Sequence, residues 1–315
     1  MEMNFQQLRY ARETVRQGLN LTLAATKLFT SQPGISKQIK ELESELGIQI
    51  FVRRGKRLVA LTEPGQAALK IIDRILLETD NLKAVAREFI DQDSGTLTIA
   101  TTHTQARYSL PRVVTEFKRR YPNVHLALQQ GDPMHIGEMV SAGAADIGVA
   151  TEALNSFAKL LALPGYTWTH CIVVPHAHPL AALPRPSLEQ IAKYPIVTYD
   201  KAFAGRSNID AAFAAKSITP DIVLAAIDAD VIKTYAESGL GIGIVASVAY
   251  DPERDRGLKM IDASHLFRTN TTRVAIRRDA LLRAYAYEFI ELFAPQLTRK
   301  SIEAAMAGGS DNYEL

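Results

Sequence analysis

The sequence predicts an N-terminal all-α winged helix-turn-helix, a long linker helix, and a C-terminal α/β domain of two doubly wound subdomains. Three observations support this fold class. Residues 5–64 contain short amphipathic segments followed by a basic, turn-rich segment. Residues 66–93 contain neither Gly nor Pro, and their apolar side chains recur every three or four positions. From residue 96 onward, apolar runs typical of strands alternate with helical patterns.

The composition is that of a globular protein. The chain has 315 residues, of which 47% are hydrophobic and 22% are charged, enough for two or three compact units. A single cysteine, Cys171, excludes a disulfide framework. The first residues lack the apolar segment of a signal peptide, and no run approaches the roughly 18 apolar residues of a membrane helix. We therefore expect a cytoplasmic protein with no membrane partner.

Positive charge is concentrated near the N-terminus. Residues 1–70 contain eleven Lys and Arg against six Asp and Glu, a net charge of +5. Because the whole chain carries +2, the remaining residues carry −3. A basic head on a mildly acidic body is typical of a polyanion-binding unit joined to a unit that binds something else.

The segment TSQPGISKQIKELESELG, Thr30 to Gly47, predicts a helix that is buried on one face. Its apolar residues are separated by four, three and four positions: Ile35, Ile39, Leu42 and Leu46. Thr30 or Ser31 can cap the start of the helix, Pro33 suits its first turn, and Gly47 ends it. Just upstream, LTLAATKLF predicts a second short helix whose two alanines allow close approach. The two segments therefore predict a helix-turn-helix.

The outward face of this helix carries amides, hydroxyls and lysines. The second helix of a helix-turn-helix lies in the DNA major groove, where amides pair with base edges and lysines with phosphate or guanine. The following RRGKR predicts the tip of a hairpin wing that contacts phosphates, with Gly55 at its turn. Each motif alone also fits core packing with a solvated face, but their order favours DNA. The candidate DNA-binding residues are Thr30, Ser31, Gln32, Pro33, Ser36, Lys37, Gln38, Lys40, Arg53, Arg54 and Lys56.

The long helix of residues 65–93 carries an apolar stripe over about seven turns. Such a helix usually packs against another helix, often from a second copy of the chain. The alternative is an ordinary core helix of a larger domain.

The α/β region divides into two successive units. In the first unit we predict strands at 96–100, 124–130 and 147–151 and helices at 108–121 and 135–144. In the second unit we predict strands at 171–175, 196–199, 221–227 and 241–247. A final strand, 271–277, and helix, 281–294, could return to complete the first unit. Ligand sites are expected beyond the carboxyl ends of the parallel strands.

The N-terminal sequence LTLAATKLFTSQPGISKQIKELESELGIQIFVRRGKRLVALTEPG resembles the winged helix-turn-helix of LysR-type transcriptional regulators. The family pattern is an Ala-Ala helix, then SQP..S.QI..LE..LG..LF.R, then LT..G. The later segments LTIATTHTQARYSLP, ATEAL, YPIVTY, GRS, DADVIKTYAESGLGIG and FIELFAPQLTR resemble the CysB-like subgroup, which governs sulfur assimilation and alkanesulfonate use. This resemblance covers nearly the whole chain and weakens after about residue 300.

The resemblance implies a particular domain organisation. It comprises a DNA-binding domain at 3–64, a linker and dimerisation helix at 65–93, an effector-binding domain at 94–300, and a tail at 301–315. The effector domain would be similar to periplasmic binding proteins. Its first subdomain would span about 94–165 and 268–300, and its second about 166–267.

The resemblance also implies partners and a function. The partners are promoter DNA, further copies of the chain in a homodimer or homotetramer, and RNA polymerase. The implied function is regulation, including activation, of genes for cysteine biosynthesis and for sulfate or sulfonate use. The alternative is a LysR-type regulator of another pathway that responds to a different small organic acid.

Hydroxyl groups follow several predicted strands. Thr102, Thr104 and the amide residue Gln105 follow the strand at 96–100. Thr151 lies at the end of a strand in the first unit, and Thr198 at the end of a strand in the second. Together with helix N-terminal amides they suit a small anion, although such threonines also serve as caps and strand residues. The resemblance assigns the ligand, O-acetylserine, N-acetylserine or sulfate, to Thr102, Thr104, Gln105, Thr151 and Trp168.

One position departs from the family pattern. Where CysB-like regulators carry a further threonine, this sequence reads YDKAFAGRS with Ala204, so one hydroxyl contact is missing.

We predict no catalytic residue, no metal and no cofactor other than the effector. The glycines of GLGIG precede a strand instead of joining a strand to a helix, so a dinucleotide-binding loop is not expected. Cys171 begins an apolar strand. The histidines His103, His170, His176 and His178 lack the spacing of a zinc site.

Overall fold

The computed structural model describes residues 3–55, 57–90, 93–201, 203 and 205–308, without the side chains of 84–90 and 152. Lys56 and Ala204 lie outside the described residues. The chain divides into two compact units, Met1–Ile90 and Asp91–Leu315. Among the described residues, no helix has the length and apolar character needed to cross a bilayer.

The first unit is the predicted winged helix-turn-helix. Its elements are α1 (Phe5–Arg16), α2 (Leu21–Lys27), α3 (Gln32–Leu46), β1 (Phe51–Arg54), β2 (Arg57–Leu61) and α4 (Glu63–Ile90). The Ser31 side chain accepts a hydrogen bond from the Gly34 amide and caps α3, and Gly47 ends the helix in the left-handed conformation. Strands β1 and β2 pair antiparallel and form the predicted wing, with Gly55 at its turn.

The first half of α4 belongs to the core of this unit. Leu69, Ile72 and Leu76 are buried in the same cluster as the apolar residues of α1 to α3, and Ile75 packs against that cluster. The apolar stripe in this half of α4 is therefore covered by the chain's own helices, as in the alternative of an ordinary core helix. Ile71 and Leu82 on the same helix remain 50% and 70% exposed.

The second unit contains two five-stranded sheets. The first sheet has the order β4-β3-β5-β12-β6, formed by β3 (Gly95–Thr101), β4 (Val124–Gln130), β5 (Ile147–Ala150), β6 (Leu160–Trp168) and β12 (Asn270–Arg277). The second has the order β11-β7-β10-β8-β9, formed by β7 (His170–Pro175), β8 (Ile196–Tyr199), β9 (Ile222–Ala226), β10 (Ile242–Ala246) and β11 (Leu258–Asp262). We call the halves built on these sheets the first and second subdomains. Strand β12 does return to the first sheet, as predicted.

Helices cover both sheets. They are α5 (Leu110–Arg120), α6 (Pro133–Ser141), α7 (Leu188–Ile191), α8 (Arg206–Ala215), α9 (Ala229–Glu237), α10 (Ala284–Phe293) and α11 (Arg299–Met306). A π-helical turn, Gln105–Ser109, precedes α5 where the sequence predicted the start of an α-helix. Helix α11 is not a detached tail, because Ile302 and Ala305 are buried in the core of the first subdomain.

Two strands, β6 and β11, were not predicted. Strand β6 contains Pro164 and Gly165, which normally interrupt a strand, and a register shift in its pairing with β12 accommodates them. Both sheets are mixed, because β12 runs antiparallel to β5 and β6, and β7 runs antiparallel to β10 and β11. The chain passes between the sheets once at Thr169 and again between β11 and β12.

Candidate DNA-binding surface and effector cleft

The orientation of α3 is fixed by its apolar face. Ile35, Ile39 and Leu42 are completely buried, so the residues on the opposite side of the helix face outward. Lys37 and Lys40 are exposed. Partly exposed are Thr30, Gln32, Ser36 and Gln38.

The outward face of α3 and the wing share one groove of about 640 Å³. We call it the α3–wing groove. Its lining residues are Gln32, Pro33, Ser36, Lys37, Lys40, Glu41, Ser44, Arg53 and Gly55. Six candidate DNA-binding residues therefore meet on one surface: Gln32, Pro33, Ser36, Lys37, Lys40 and Arg53. Four others do not line it: Thr30, Ser31, Gln38 and Arg54.

An acidic residue that the sequence reasoning did not consider lies within this groove. Glu41 Oε2 accepts a hydrogen bond from Gln38 Nε2 at 2.9 Å, and its Oε1 lies 3.8 Å from Lys37 Nζ. Carboxylates in a major-groove surface can accept from the cytosine amino group. In the free protein, Glu41 holds the amide of Gln38 on the helix.

The wing is tied to α3 by a buried carboxylate. Glu43 Oε1 accepts from the backbone amides of Ile50 and Phe51, at 2.8 and 3.0 Å, and its Oε2 accepts from Arg53. Arg53 is therefore engaged within the protein. Arg54, next in the chain, is exposed.

A cavity of about 390 Å³ in the second unit is the candidate effector site, and we call it the effector cleft. Its lining residues are Pro133, Thr151, Ala153, Lys201, Phe203, Gly205, Ser207, Asn208, Arg268, Thr269 and Asn270. They come from both subdomains, with Thr151 and Asn270 on the first and the α8 segment on the second. Of the predicted ligand residues, Thr151 alone is in this lining, at the carboxyl end of β5.

The TTHTQ segment is occupied largely by internal hydrogen bonds. The Thr102 hydroxyl caps the following turn, with the Gln105 amide 3.5 Å away. Gln105 is buried, and its side chain donates to Thr272 and accepts from Tyr166. Thr104 is partly exposed. Thr198 lies inside the sheet, where its hydroxyl donates to the Ile244 carbonyl at 3.0 Å.

Trp168 and His170 flank the crossing point between the two subdomains. Their rings meet edge to face with centroids 5.2 Å apart, and both side chains are buried. Within the described part of the chain, Trp168 Nε1 and both ring nitrogens of His170 have no hydrogen-bond partner. Burial lowers the pKa of His170 to about 4, so the ring is neutral at neutral pH. The sequence reasoning regarded His170 only as a histidine without zinc spacing.

Gly205 covers these two side chains from the side of the cleft. Its φ of +89° is a conformation that favours glycine, and it precedes α8 without a side-chain cap. A Cβ at this position would lie 2.5 Å from His170 Nε2. The Arg206 amide donates to the Phe203 carbonyl, whereas no side chain caps the next amides of α8, at Ser207 and Asn208, which line the cleft and can face an anion there.

Cys171 and the histidines give no catalytic arrangement. Cys171 is buried in β7, where burial raises the pKa of its thiol to about 12. Potential ligand atoms of His103, Asp228 and Asp230 lie within 4.8 Å of one another. We assign no metal there, because Asp230 already binds Arg107, Tyr108 and Lys233.

Comparison with known proteins identifies the family. Residues 5–66 match the bacterial regulatory helix-turn-helix protein, lysR family, and residues 91–298 match the LysR substrate binding domain. The chain belongs to the LysR family.

Full-length relatives place this LysR-family protein close to the regulators SsuR and CysB. It is 58% identical to the HTH-type transcriptional regulator SsuR of Burkholderia cenocepacia over 306 residues, which cover 97% of this chain and 98% of SsuR. It is 54% identical to CysB of the same organism over 313 residues, which cover 99% of this chain and all of CysB. The crystal structure of the cofactor-binding domain of the Cbl transcriptional regulator matches with a TM-score of 0.65 and 46% identity, covering 68% of this chain and 93% of that one.

These findings confirm the predicted family and subgroup. The LysR-family chain is a regulator of sulfur assimilation genes and not an enzyme. Its helix-turn-helix binds promoter DNA.

Proposed function

We propose that this regulator reads promoter DNA through the α3–wing groove and that a small anionic metabolite in the effector cleft controls it. The metabolite we propose is O-acetylserine, N-acetylserine or sulfate. The observation that carries the effector proposal is the convergence, in one cleft, of the α8 N-terminus, which has no side-chain cap, with hydroxyl and amide side chains from both subdomains.

The charge of the cleft supports an anionic ligand. Lys201 and Arg268 are exposed at its edge, and Asn208 and Asn270 supply amides within it. The benzo ring of Trp168 lies beside Gly205, and its indole N–H is buried without a hydrogen-bond partner among the described residues. A buried donor without a partner favours a ligand or a water that accepts its hydrogen bond. The cavity also has the volume of a small organic ligand site.

One group of residues would contact DNA bases and another group would contact phosphates. Gln32 and Ser36 line the groove with polar side chains that can read base edges, whereas Lys37 and Lys40 are exposed cations suited to phosphate. Among the other candidates, Ser31 caps α3, so its role is to orient the helix.

Gel-shift titration with a promoter fragment selected by the protein and with random DNA tests the first part. Gln32→Ala should weaken promoter binding by roughly ten-fold or more while changing random-DNA binding little, because base contacts contribute about 1–3 kcal/mol of discrimination. Lys40→Ala should weaken both equally. The control is Gln49→Ala, an exposed amide outside the groove. Equal losses on both DNAs for Gln32→Ala would contradict a base-reading role.

Calorimetric titration with the three metabolites tests the second part. Thr151→Val removes one hydroxyl from the cleft and should weaken binding roughly ten-fold, because hydrogen bonds to charged groups contribute about 1.5–3 kcal/mol. Thr115→Val, on an exposed face of α5, is the control. If the unmodified protein binds none of the three, the proposed effector class is wrong.

A second copy of the chain is the partner we propose for the exposed apolar residues of α4. Ile71 and Leu82 are eleven positions apart, close to three helical turns, so they lie on the same face. Helix α4 is long enough for this face to pack along the same helix of a second copy.

A further inference from the structure

The π-helical turn Gln105–Ser109 connects the two subdomains. It begins directly after the predicted ligand residue Thr104. Single π-helical turns are rare, and they occur frequently at functional sites. The side chains of this turn divide into one group that binds the first subdomain and one group that binds the second.

The first group fixes Gln105. Its Nε2 donates to the Thr272 hydroxyl at 3.1 Å, and its Oε1 accepts from the Tyr166 hydroxyl at 2.7 Å. Ser109 Oγ lies 2.6 Å from the same Tyr166 hydroxyl. These bonds attach both ends of the turn to β6 and β12 of the first sheet.

The second group crosses to α9 of the second subdomain. The Tyr108 hydroxyl donates to Asp230 Oδ1 at 2.5 Å and accepts from Lys233 Nζ at 2.9 Å. Arg107 Nε lies 2.5 Å from Asp230 Oδ2. The Lys233 ammonium also lies 5.0 Å from the centre of the Tyr108 ring, within cation–π distance.

Lys233 is fixed on its other side as well. Its Nζ donates to Asp255 Oδ2 at 2.9 Å and to the Ala249 carbonyl at 2.8 Å. The two cations, Arg107 and Lys233, balance the two carboxylates, Asp230 and Asp255. We call these four residues and Tyr108 the crossing network.

The pKa shifts of Asp230 and Tyr108 agree with their hydrogen bonds and ion pairs in this network. Burial opposes ionisation of Asp230, yet the Tyr108 hydrogen bond, Lys233 and Arg107 together lower the pKa of its carboxyl. Burial raises the pKa of Tyr108, with the Asp230 hydrogen bond acting in the same direction. Tyr108 is thus a neutral hydroxyl that donates to a carboxylate at physiological pH.

We propose that Tyr108 is a positioning residue of the effector cleft, holding the first subdomain to α9 so that both sides of the cleft meet one ligand. This inference rests on the proposed effector function. The cleft takes Thr151 from one subdomain and Gly205 from the other, and a small ligand contacts both only at one separation of the subdomains. A ligand that binds one arrangement better stabilises that arrangement, and a bond that preforms it raises affinity.

Tyr108→Phe tests the proposal, since it removes the hydroxyl and keeps the ring. Sulfate and N-acetylserine affinities are measured by calorimetry on the full chain, and fluorescence of Trp168, the single tryptophan, reports on the cleft. We expect affinity to fall roughly ten-fold, as for loss of one charge-assisted hydrogen bond. Tyr235→Phe, on the exposed side of α9, should leave affinity unchanged.

A second variant separates positioning from general stability. Asp230→Asn should weaken effector binding at least as much as Tyr108→Phe, because it also removes the charge that pairs with Arg107, and the double variant should bind no more weakly than Asp230→Asn, because both residues belong to one link. If both variants lower the unfolding temperature but keep affinity within about two-fold of the parent, the role is structural only and the proposal is wrong. If the unmodified protein binds neither probe, the effector proposal has failed as well, which distinguishes the two failures.

Discussion

Arg53 Nη2 in the wing lies 3.0 Å from Glu43 Oε2 on α3, the helix that carries the candidate base-reading residues. The Glu43 side chain is only 3% exposed, and its other oxygen accepts from the first two amides leading into β1. A single carboxylate therefore sets the position of the wing relative to the recognition helix. Arg53, expected to contact phosphate, compensates this buried charge.

Arg53→Ala should lower the free energy of unfolding of the first unit by about 2 kcal/mol, because it leaves Glu43 without its counter-charge. Arg54→Ala should cost less than about 0.5 kcal/mol, because that side chain is exposed. Urea unfolding followed by circular dichroism measures both. For DNA, Arg54→Ala should reduce the salt dependence of binding by about one phosphate contact. Equal stability of the two variants would contradict the structural role of Arg53.

Ile75→Asp should unfold the first unit, not merely separate copies of the chain. Ile75 packs, partly buried, on the winged helix-turn-helix core, so a carboxylate there loses part of its hydration without gaining a partner, at a cost of about 2–4 kcal/mol. Leu82→Asp is the matched variant, since Leu82 is largely exposed. It should keep the unfolding curve and reduce the mass seen by light scattering. A stable, monomeric Ile75→Asp protein would oppose this view.

Gly205→Ala should weaken effector binding and destabilise the second unit. Its left-handed φ costs alanine about 1 kcal/mol, and the new methyl group would also press on His170 and Trp168. Gly239 has a similar φ of +84°, but among the described residues a Cβ at this position would meet no neighbouring atom within 4 Å. Gly239→Ala should therefore show the backbone cost alone. Thermal unfolding and calorimetric titration of both variants separate the backbone cost from the steric contact with His170 and Trp168. Identical behaviour of the two variants would exclude the steric contact.

His170 should make stability depend on pH below neutrality. Its folded pKa of about 4 is below the usual value of about 6.5, so the unfolded state binds more protons between these pH values. Stability is therefore full above about pH 6.5 and falls as pH drops toward about 4. Between about pH 7 and pH 5 the loss from this residue is about 2 kcal/mol.

Urea unfolding monitored by Trp168 fluorescence at the two pH values measures this loss. His170→Gln should remove it, whereas His176→Gln, at an exposed position, should retain it. An unchanged pH dependence in His170→Gln would show that another group is responsible.

Local chemistry was enough to predict much of this protein. The spacing of Ile35, Ile39 and Leu42, the Ser31 cap and Gly47 determine α3, because each acts within a few residues along the chain. The same holds for the Gly55 turn of the wing and for most strands of the two sheets. The family pattern, carried by contiguous motifs, extended this to the function in sulfur regulation.

The tertiary structure alone decided which side chains are free to bind a ligand. Thr198 and Gln105 are hydrogen-bonded to Ile244 and Thr272, and Arg53 to Glu43, through partners distant in sequence or on another element. The sequence could not predict these pairings, because a polar side chain looks the same whether its partner is the protein, a ligand or water. It also could not predict β6, since the pairing with β12 that stabilises Pro164 and Gly165 joins residues about a hundred positions apart. Contacts over such distances depend on the packing of whole subdomains, which no local pattern encodes.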